Sequence, residues 1–380
     1  MGLTKTIWAD PPEFLAAMQP ENPVLFFAPA VLQATARRFI EGFPGLVTYA
    51  VKSNPEEMVV ANLGAAGLRG YDVASPAEIE MVRRLQPDAA LHYNNPVRTR
   101  TEIAYAVGQG VASYSVDSAS ELAKLIALVP ARGTEIAVRF KLPVAGAAYD
   151  FGAKFGATEA VAVTLLAAVA QAGFVAALTF HPGTQCAEPA AWTAYIAAAA
   201  RIADAAGVRI ARLNVGGGFP SWRRPEAAPD LGAIFAEIGR ARDAFFPEDP
   251  PALVCEPGRG LVAEAFTLAT RVRAVRDGAH VFLNDGVYGA LAELPLIGAL
   301  TRLRVLSPDG VARMGALCPR TVFGPTCDST DRLPGEFALP EDLAEEDYIL
   351  FDGLGAYSTA TNTRFNGFGA LAIETVLRAR

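Results

Sequence analysis

The stretch LVTYAVKSNPEEMVVANLGAAGLRGYDVASPAEIEMVRRL, residues 46–85, contains the pattern that decides the fold. Two short apolar runs, LVTYAVKS (46–53) and GYDVAS (70–75), have the character of strands, and PAEIEMVRRL (76–85) is typical of an amphipathic helix. The alternation continues, and the strand candidates are 46–53, 70–75, 90–95, 112–117, 135–141, 175–181, 209–215 and 252–257. Near-continuous apolar strands that alternate with helices predict a parallel sheet covered on both faces.

Eight such units in about 230 residues indicate a (β/α)8 barrel, which we place at residues 25–260. A doubly wound open sheet is the alternative, since a count of strands does not show closure. From residue 261 long helices give way to strand-like alternation and turns, as in HVFLNDGVYG (280–289). We therefore expect a second, mainly antiparallel β domain over residues 261–380, to which residues 1–24 contribute.

The composition limits the possible functions. Hydrophobic residues make up 52% of the chain and charged residues 19%, which provides a large core and excludes wholesale disorder. The 33 Lys and Arg residues against 40 Asp and Glu residues give a net charge of −7, which argues against nucleic acid as a partner. The 4 cysteines form no CxxC pair, and with only 3 histidines the sequence favours neither a disulfide scaffold nor a metal site.

Two segments bear on location. The N-terminus MGLTKTIWADPPEF lacks the apolar core of a secretory signal. Residues 160–180 carry no charge, but Gln171 and Gly173 interrupt the run, and a buried helix followed by a buried strand explains it better than a membrane span. We expect a cytoplasmic protein with no membrane partner.

Unusual polar residues stand where the predicted strands end. Active sites of these barrels lie at the C-terminal ends of the strands. In chain order the strand ends carry Lys52, Asp72, Asn94, Asn95, Asp117, Arg139, His181, Gly216–Gly218, Glu256 and Arg259.

Three of these features together indicate a cofactor. Lys52 at the end of an apolar strand is either a lysine that snorkels or pairs with a carboxylate, or a Schiff-base lysine kept nucleophilic by apolar surroundings. The glycines 216–218 form a turn or, with Arg259, a phosphate cradle. Glu256 beneath a pyridine nitrogen would hold that nitrogen protonated. Lysine, phosphate cradle and carboxylate together point to pyridoxal 5'-phosphate.

The neighbouring His181 has two explanations as well. A single histidine at a strand end is commonly a satisfied core residue. In this setting it could instead stack on the aromatic ring of the cofactor, with the hydroxyl of Thr184 close by as a phosphate ligand.

A series of short motifs in a fixed order carries a family resemblance. They are YAVKSNP (49–55), YDVASPAEIE (71–80), YNNP (93–96), SVDSASEL (115–122), KFG (154–156), HPGTQC (181–186), GGGFP (216–220), EPGR (256–259), NDGVYG (284–289), GPTCDS (324–329), GAYST (355–359) and FNGF (365–368). By these motifs the chain resembles the fold type III pyridoxal phosphate decarboxylases, the ornithine, lysine, arginine and diaminopimelate group. It is most similar to the ornithine decarboxylase branch.

The resemblance implies a role for each motif residue. Lys52 would carry the cofactor with Asp72 as its supporting carboxylate, His181 would stack on the ring, and Glu256 would pair with the ring nitrogen. The phosphate would be held by Thr184, Gly216, Gly217, Gly218, Arg259 and Tyr357.

The resemblance also implies a homodimer with shared active sites. In the family, the Cys-Asp pair matched here by Cys327 and Asp328 enters the site from the other subunit. Cys327 would protonate the α-carbon after CO2 leaves, and Asp328 would bind the distal amine of the substrate. Phe365 matches an aromatic residue near the substrate.

The expected reaction is decarboxylation of L-ornithine or L-lysine to a diamine and CO2, as in polyamine-type metabolism. One departure affects the substrate: in ALAELPLIGAL (290–300), Leu296 or Ile297 stands where such enzymes usually carry an aspartate, and Glu293 is the only acid close by. A longer substrate such as carboxynorspermidine, a less basic amino acid, a racemase and a non-catalytic homologue are the alternatives. Diaminopimelate is disfavoured, because that branch generally has Cys-Glu in place of Cys327-Asp328.

Overall fold

Parallel strands close into an eight-stranded barrel in the computed structural model, which describes residues 7–142, 154–226, 228–298 and 300–379. After a first strand, β1 (Val24–Phe27), the barrel strands are β2 (Leu46–Ala50), β3 (Gly70–Val73), β4 (Ala90–Tyr93), β5 (Ser113–Val116), β6 (Glu135–Arg139), β7 (Val175–Thr179), β8 (Arg212–Asn214) and β9 (Ala252–Cys255). Each strand pairs with the next, and β9 pairs with β2 through Val254 and Leu46. The predicted (β/α)8 barrel is confirmed, because β2 and β9 pair with each other and so close the sheet.

Helices alternate with these strands as the apolar periodicity predicts. In the described chain they are α1 (Pro11–Met18), α2 (Pro29–Gly42), α3 (Glu57–Ala65), α4 (Pro76–Leu85), α5 (Arg100–Gly108), α6 (Ala119–Leu128), α7 (Glu159–Gln171), α8 (Pro189–Ala206), α9 (Leu231–Phe245), α10 (Arg259–Val262) and α11 (Leu294–Ile297). Residues 160–180 are the helix α7 followed by the strand β7, as expected. No helix in the part of the chain that the structure describes has the length and apolarity to span a bilayer.

Side-chain caps set where several barrel helices begin. The hydroxyls of Ser75, Thr99 and Ser118 accept the backbone N–H three residues later and so start α4, α5 and α6. In each case the third residue is a glutamate, and at Thr99 the reciprocal bond of a capping box is present. These caps fix the residues at which the helices after β3, β4 and β5 begin.

The second unit is a mainly antiparallel sheet, which confirms that prediction. Its remaining strands are β10 (Phe266–Arg276), β11 (His280–Leu283), β12 (Leu303–Leu306), β13 (Leu317–Phe323), β14 (Phe337–Pro340), β15 (Tyr348–Asp352) and β16 (Ala372–Thr375). They run in the order β12-β15-β10-β11-β13-β14, and β1 joins β10 to β16. In the apolar core of this unit, the rings of Phe14 on α1 and Phe26 on β1 pack edge to face with their centroids 5.3 Å apart.

The division between the units differs from the predicted boundaries. The barrel unit comprises Ala36–Pro220 and Asp230–Leu261. The second unit comprises the residues up to Thr35, the segment Ser221–Pro229 and the residues from Val262 onward. The prediction that the barrel starts at residue 25 is therefore wrong. Strand β1 is entirely buried, and it pairs antiparallel with β10 and parallel with β16 instead of joining the barrel.

A buried histidine makes the stability of the barrel sensitive to acid. His92 on β4 is 4% exposed, and burial, helped by the charge of Arg212, lowers its pKa to about 4. Its unfolded pKa is about 6.5, so the unfolded chain binds the extra proton as pH falls from about 6.5 to 4. In that range we expect the wild type to lose up to about 3 kcal/mol of unfolding free energy relative to His92→Gln.

Urea unfolding of both proteins at pH 7.5 and pH 5 measures this difference. His280→Gln is the matched control, because His280 lies half-exposed on β11 of the second unit. Parallel pH curves for the wild type and His92→Gln would contradict the expectation.

Candidate active site

The ends of the barrel strands line one cavity of about 380 Å³. This volume lies in the range of pockets that hold small cofactors and substrates. The predicted site residues that line it are Lys52, Asp72, His181 and Glu256, and Asn94 and Arg139 stand beside them. The rim of the barrel therefore brings together side chains from strands that are far apart in the sequence.

Lys52 follows β2 in a short 3-10 turn, Val51–Ser53, whose other two residues are buried. The turn is anchored by the Ser53 hydroxyl, which donates to the Ala50 carbonyl at 2.9 Å. The Lys52 side chain is exposed to the cavity, and its charge acts on the carboxyls of Asp72 and Glu256. The cavity around Lys52 combines these two carboxyls with Arg139 and with the apolar side chains of Phe155 and Phe180.

Two acidic groups share the floor of this cavity. Burial raises the pKa of the Asp72 carboxyl, and the charges of Lys52 and Arg139 act against that rise. Burial likewise raises the pKa of Glu256, and the negative charge of Asp72 raises it further. Lys52 and Arg139 therefore stabilise the ionised forms of both acids, because a buried carboxylate needs a positive partner.

Asn94 and Asn214 both donate their side-chain amides to Oε1 of Glu256. Asn94 also donates to Asp72, so it links the two acids. These bonds favour the ionised form of Glu256 and fix its plane. Sequence reasoning noted Asn94 only as a strand end and missed Asn214; the position of this asparagine at the end of β8 was the available signal.

His181 is held in one tautomer. The backbone N–H of Gly183 donates to Nδ1 at 3.1 Å, so a neutral ring carries its proton on Nε2. Burial and the charges of Arg139 and Lys52 lower the His181 pKa well below its usual value. The ring is accordingly uncharged near neutral pH, as suits a flat face against an aromatic cofactor.

The glycine loop after β8 leaves no room for side chains. Gly216 and Gly218 have φ of 72° and 84°, and a Cβ on them would lie 2.1 Å from the Phe180 carbonyl oxygen and 2.3 Å from that of Gly183. A Cβ on Gly217 would lie 2.8 Å from the Glu256 carbonyl oxygen. The loops after β7, β8 and β9 therefore approach one another closely at these glycines.

The remaining predicted phosphate ligands of the barrel stand in or beside these loops. Thr184 follows Gly183 in a half-buried turn, and Arg259 follows Gly258 as the first residue of α10, at 7% exposure. Backbone, a hydroxyl and a guanidinium form the donor set that a phosphate requires. With Lys52 and Glu256 on the cavity wall, the residues present fit pyridoxal phosphate.

The other predicted residues lie in the second unit. Asp328 accepts from the Tyr288 hydroxyl at 2.5 Å and from the backbone N–H of Thr330 at 2.8 Å, and these bonds lower its pKa. Phe365 packs on the Tyr288 ring with centroids 4.6 Å apart. Sequence reasoning quoted Tyr288 within NDGVYG but assigned it no role.

Cys327, Tyr357 and Glu293 complete the predicted set. Cys327 is exposed, and both its backbone N–H and its thiol lie 3.2 Å from Oδ1 of Asn366. Tyr357 is half-buried with φ of 63°, a conformation that non-glycine residues rarely adopt. Glu293 precedes α11, where the Leu296 side chain is 61% exposed.

Comparison with known proteins gives a consistent result. Residues 30–263 match the family model described as the pyridoxal-dependent decarboxylase, pyridoxal binding domain. The chain is 35% identical over 346 residues to a chloroplastic ornithine decarboxylase of Nicotiana glauca, covering 87% of this chain and 77% of the relative. It is 32% identical over 330 residues to a lysine/ornithine decarboxylase of Selenomonas ruminantium, covering 85% and 81%.

A solved structure agrees over nearly the full length. The arginine decarboxylase of Paramecium bursaria Chlorella virus superposes with a TM-score of 0.85 at 26% identity, covering 96% of this chain and 98% of that one.

Proposed function

The chain belongs to the pyridoxal-dependent decarboxylases that act on basic amino acids, and from that premise we propose that it converts L-ornithine or L-lysine into a diamine and CO2. The observation that carries the choice of substrate is Asp328, an ionised carboxylate braced by Tyr288 and Thr330. A carboxylate offers about four lone-pair positions. Tyr288 and the N–H and hydroxyl of Thr330 use three, which leaves room for one ammonium hydrogen.

When bound, the cofactor supplies an electron sink for the pair of electrons that the departing CO2 leaves behind. Lys52 Nζ would attach the cofactor beside the place that the substrate amine takes. Glu256, fixed by two asparagine amides, holds the proton of the ring nitrogen. His181 supports the ring face with its proton on Nε2.

The barrel and the second unit divide the remaining work. The glycine loop with Thr184 and Arg259, joined by Tyr357, holds the phosphate. Cys327 delivers one proton to the α-carbon, which replaces the carboxylate and balances the loss of CO2. We extend the proposal to a homodimer in which Cys327 and Asp328 of one subunit complete the cavity of its partner.

An alternative substrate is supported by one specific feature. The short helix α11 carries Leu296, whose side chain is 61% exposed, where a second acid would ordinarily select a distal ammonium. Loss of one charge-assisted bond costs roughly 1.5–3 kcal/mol of selectivity. This favours, as the second candidate, a longer or less basic amino acid over one with a short cationic side chain.

Release of CO2 by the protein loaded with pyridoxal phosphate tests the proposal. The panel contains L-ornithine, L-lysine, L-arginine, meso-diaminopimelate, carboxynorspermidine and several non-basic amino acids. Fast turnover of ornithine or lysine is the expected result. Turnover of another panel member with neither of these would establish the alternative, and no CO2 from any of them would reject decarboxylation.

Tyr288→Phe tests the bracing of Asp328. The variant keeps the ring that packs on Phe365 but removes the hydroxyl that donates to Asp328. Because one hydrogen bond is worth about 1 kcal/mol, we expect KM for ornithine and lysine to rise about fivefold with kcat little changed.

Steady-state kinetics with Tyr105→Phe as the control measures this effect, since Tyr105 lies half-buried on α5 of the barrel unit. An unchanged KM would show that the hydroxyl does not support substrate binding. An equal rise for a non-basic amino acid would show that Asp328 does not bind the distal amine.

A further inference from the structure

We propose that Asn366 is a positioning residue that keeps Cys327 in the protonated, correctly aimed thiol form. Within the second unit, Oδ1 of Asn366 lies 3.2 Å from the Cys327 backbone nitrogen and 3.2 Å from its Sγ. This inference rests on the proposed role of Cys327 as the proton donor. It adds the residue that orients the Cys327 thiol, which the family motif alone does not reveal.

The direction of these bonds decides which form of the cysteine is favoured. The backbone N–H can only donate, so the Asn366 amide must present its oxygen to Cys327. That oxygen can accept from a thiol but repels a thiolate, which has no hydrogen to give. The bond therefore stabilises the thiol relative to the thiolate, which is the form that an acid must have before it delivers a proton.

The backbone of the loop explains why an asparagine can stand there. Asn366 has φ of 52° in the middle of the 3-10 turn Phe365–Gly367. Asparagine enters this left-handed region more readily than other residues with a Cβ. The position thus combines a conformation that aims the side chain back at Cys327 with a side chain that ends in an acceptor.

The same loop also braces the residues around Asp328. The N–H and hydroxyl of Thr363 both donate to the Tyr288 carbonyl, at 3.0 and 2.7 Å, and Phe365 packs on the Tyr288 ring. Tyr288 in turn donates to Asp328. One loop therefore sets both the proton donor and the predicted anchor for the distal amine, so the two keep a fixed spacing.

The pH dependence of Cys327 alkylation tests the proposal directly. Cofactor-loaded wild type, Asn366→Gly and Asn366→Asp are treated with iodoacetamide across pH 6–10, and the Cys327 peptide is followed by mass spectrometry. Cys186 and Cys255 are buried, and the thiol of Cys318 donates to the Leu339 carbonyl, so the Cys327 peptide is readily distinguished. Glycine keeps the left-handed backbone without the acceptor, whereas aspartate keeps the acceptor and adds a charge.

We expect the midpoint of alkylation to move down by about half to one pH unit in Asn366→Gly and to move up in Asn366→Asp. Asn362→Ala is the matched control, because Asn362 braces the same loop through the Gly369 carbonyl and does not contact Cys327 in the described residues. Its midpoint is expected to stay at the wild-type value. Midpoints that do not move in either Asn366 variant, or that move equally in Asn362→Ala, would overturn the proposal.

The ratio of amine to CO2 gives a second readout. If the thiol is misaimed, Cys327 would fail to deliver its proton to the α-carbon. The proton would go to the cofactor instead, and water would then release an aldehyde in place of the amine. We expect a ratio below one in Asn366→Gly, whereas a ratio of one would show that Asn366 does not aim the thiol and would also overturn the proposal. The alkylation result requires no substrate, so it stands even where the panel finds no turnover.

Discussion

Lys52→Ala is expected to lose turnover by roughly 10³-fold or more on every substrate of the panel, because the Lys52 amine attaches the cofactor and exchanges protons with the substrate. Lys52 is presented to the cavity by a turn whose flanking residues are buried. Truncation at this exposed side chain should therefore leave the barrel folded. Borohydride reduction followed by peptide mass spectrometry should find the cofactor on Lys52 in the wild type and on no residue of the variant.

Lys154→Ala is the matched control, since Lys154 lines the same cavity and should leave the attached cofactor in place. The assignment would be contradicted if another peptide of Lys52→Ala carried as much reduced cofactor as the Lys52 peptide of the wild type.

Mixing two inactive variants tests the shared site together with Lys52. If Cys327 acts in the partner's cavity, a mixture of Lys52→Ala and Cys327→Ala chains forms heterodimers with one intact site of two. Random exchange makes half of the dimers mixed, so about a quarter of wild-type activity should return. No recovery, with exchange confirmed by tagged chains, would place Cys327 and Lys52 of the same chain in one site.

Glu256→Gln is expected to leave substrate binding nearly unchanged and to lower kcat by roughly 10²- to 10³-fold, the scale seen when one preorganised electrostatic partner is removed. Glutamine can still accept from Asn94 and Asn214 through its oxygen, so the site keeps its geometry. It cannot balance the positive charge of a protonated ring nitrogen, and the electron sink weakens.

Steady-state kinetics should therefore show the loss in kcat and not in KM. Glu80→Gln is the control for a lost negative charge, because Glu80 is exposed on α4. Normal turnover by Glu256→Gln would show that this carboxylate does not support the chemical step.

The order of helices and strands could be predicted from the sequence because the patterns that indicate them are local. Apolar periodicity over a few residues distinguishes strand from helix, and the helix caps at Ser75, Thr99 and Ser118 are visible as a serine or threonine three residues before a glutamate. Parallel strands of a barrel end at one rim. It followed that Lys52 and Glu256 would meet, although about 200 residues separate them.

Strand β1 shows that local sequence patterns do not determine which sheet a strand joins. VLFF is as apolar as any barrel strand, so its composition suits a barrel strand and a strand of the second sheet equally. Only its pairing with β10 and β16 decides the matter, and both partners lie more than two hundred residues away along the chain.

The sequence by itself determined the barrel, the second sheet, the cofactor and the residues that stand at the strand ends, because each depends on residue type and order along the chain. Only the tertiary structure decided how those residues are held. The two carboxyls beside Lys52, the amides of Asn94 and Asn214 on one oxygen of Glu256, and the hydrogen bonds between Asn366 and Cys327 join distant segments. A hydrogen bond requires two groups within about 3 Å, and no pattern in a single segment encodes that distance.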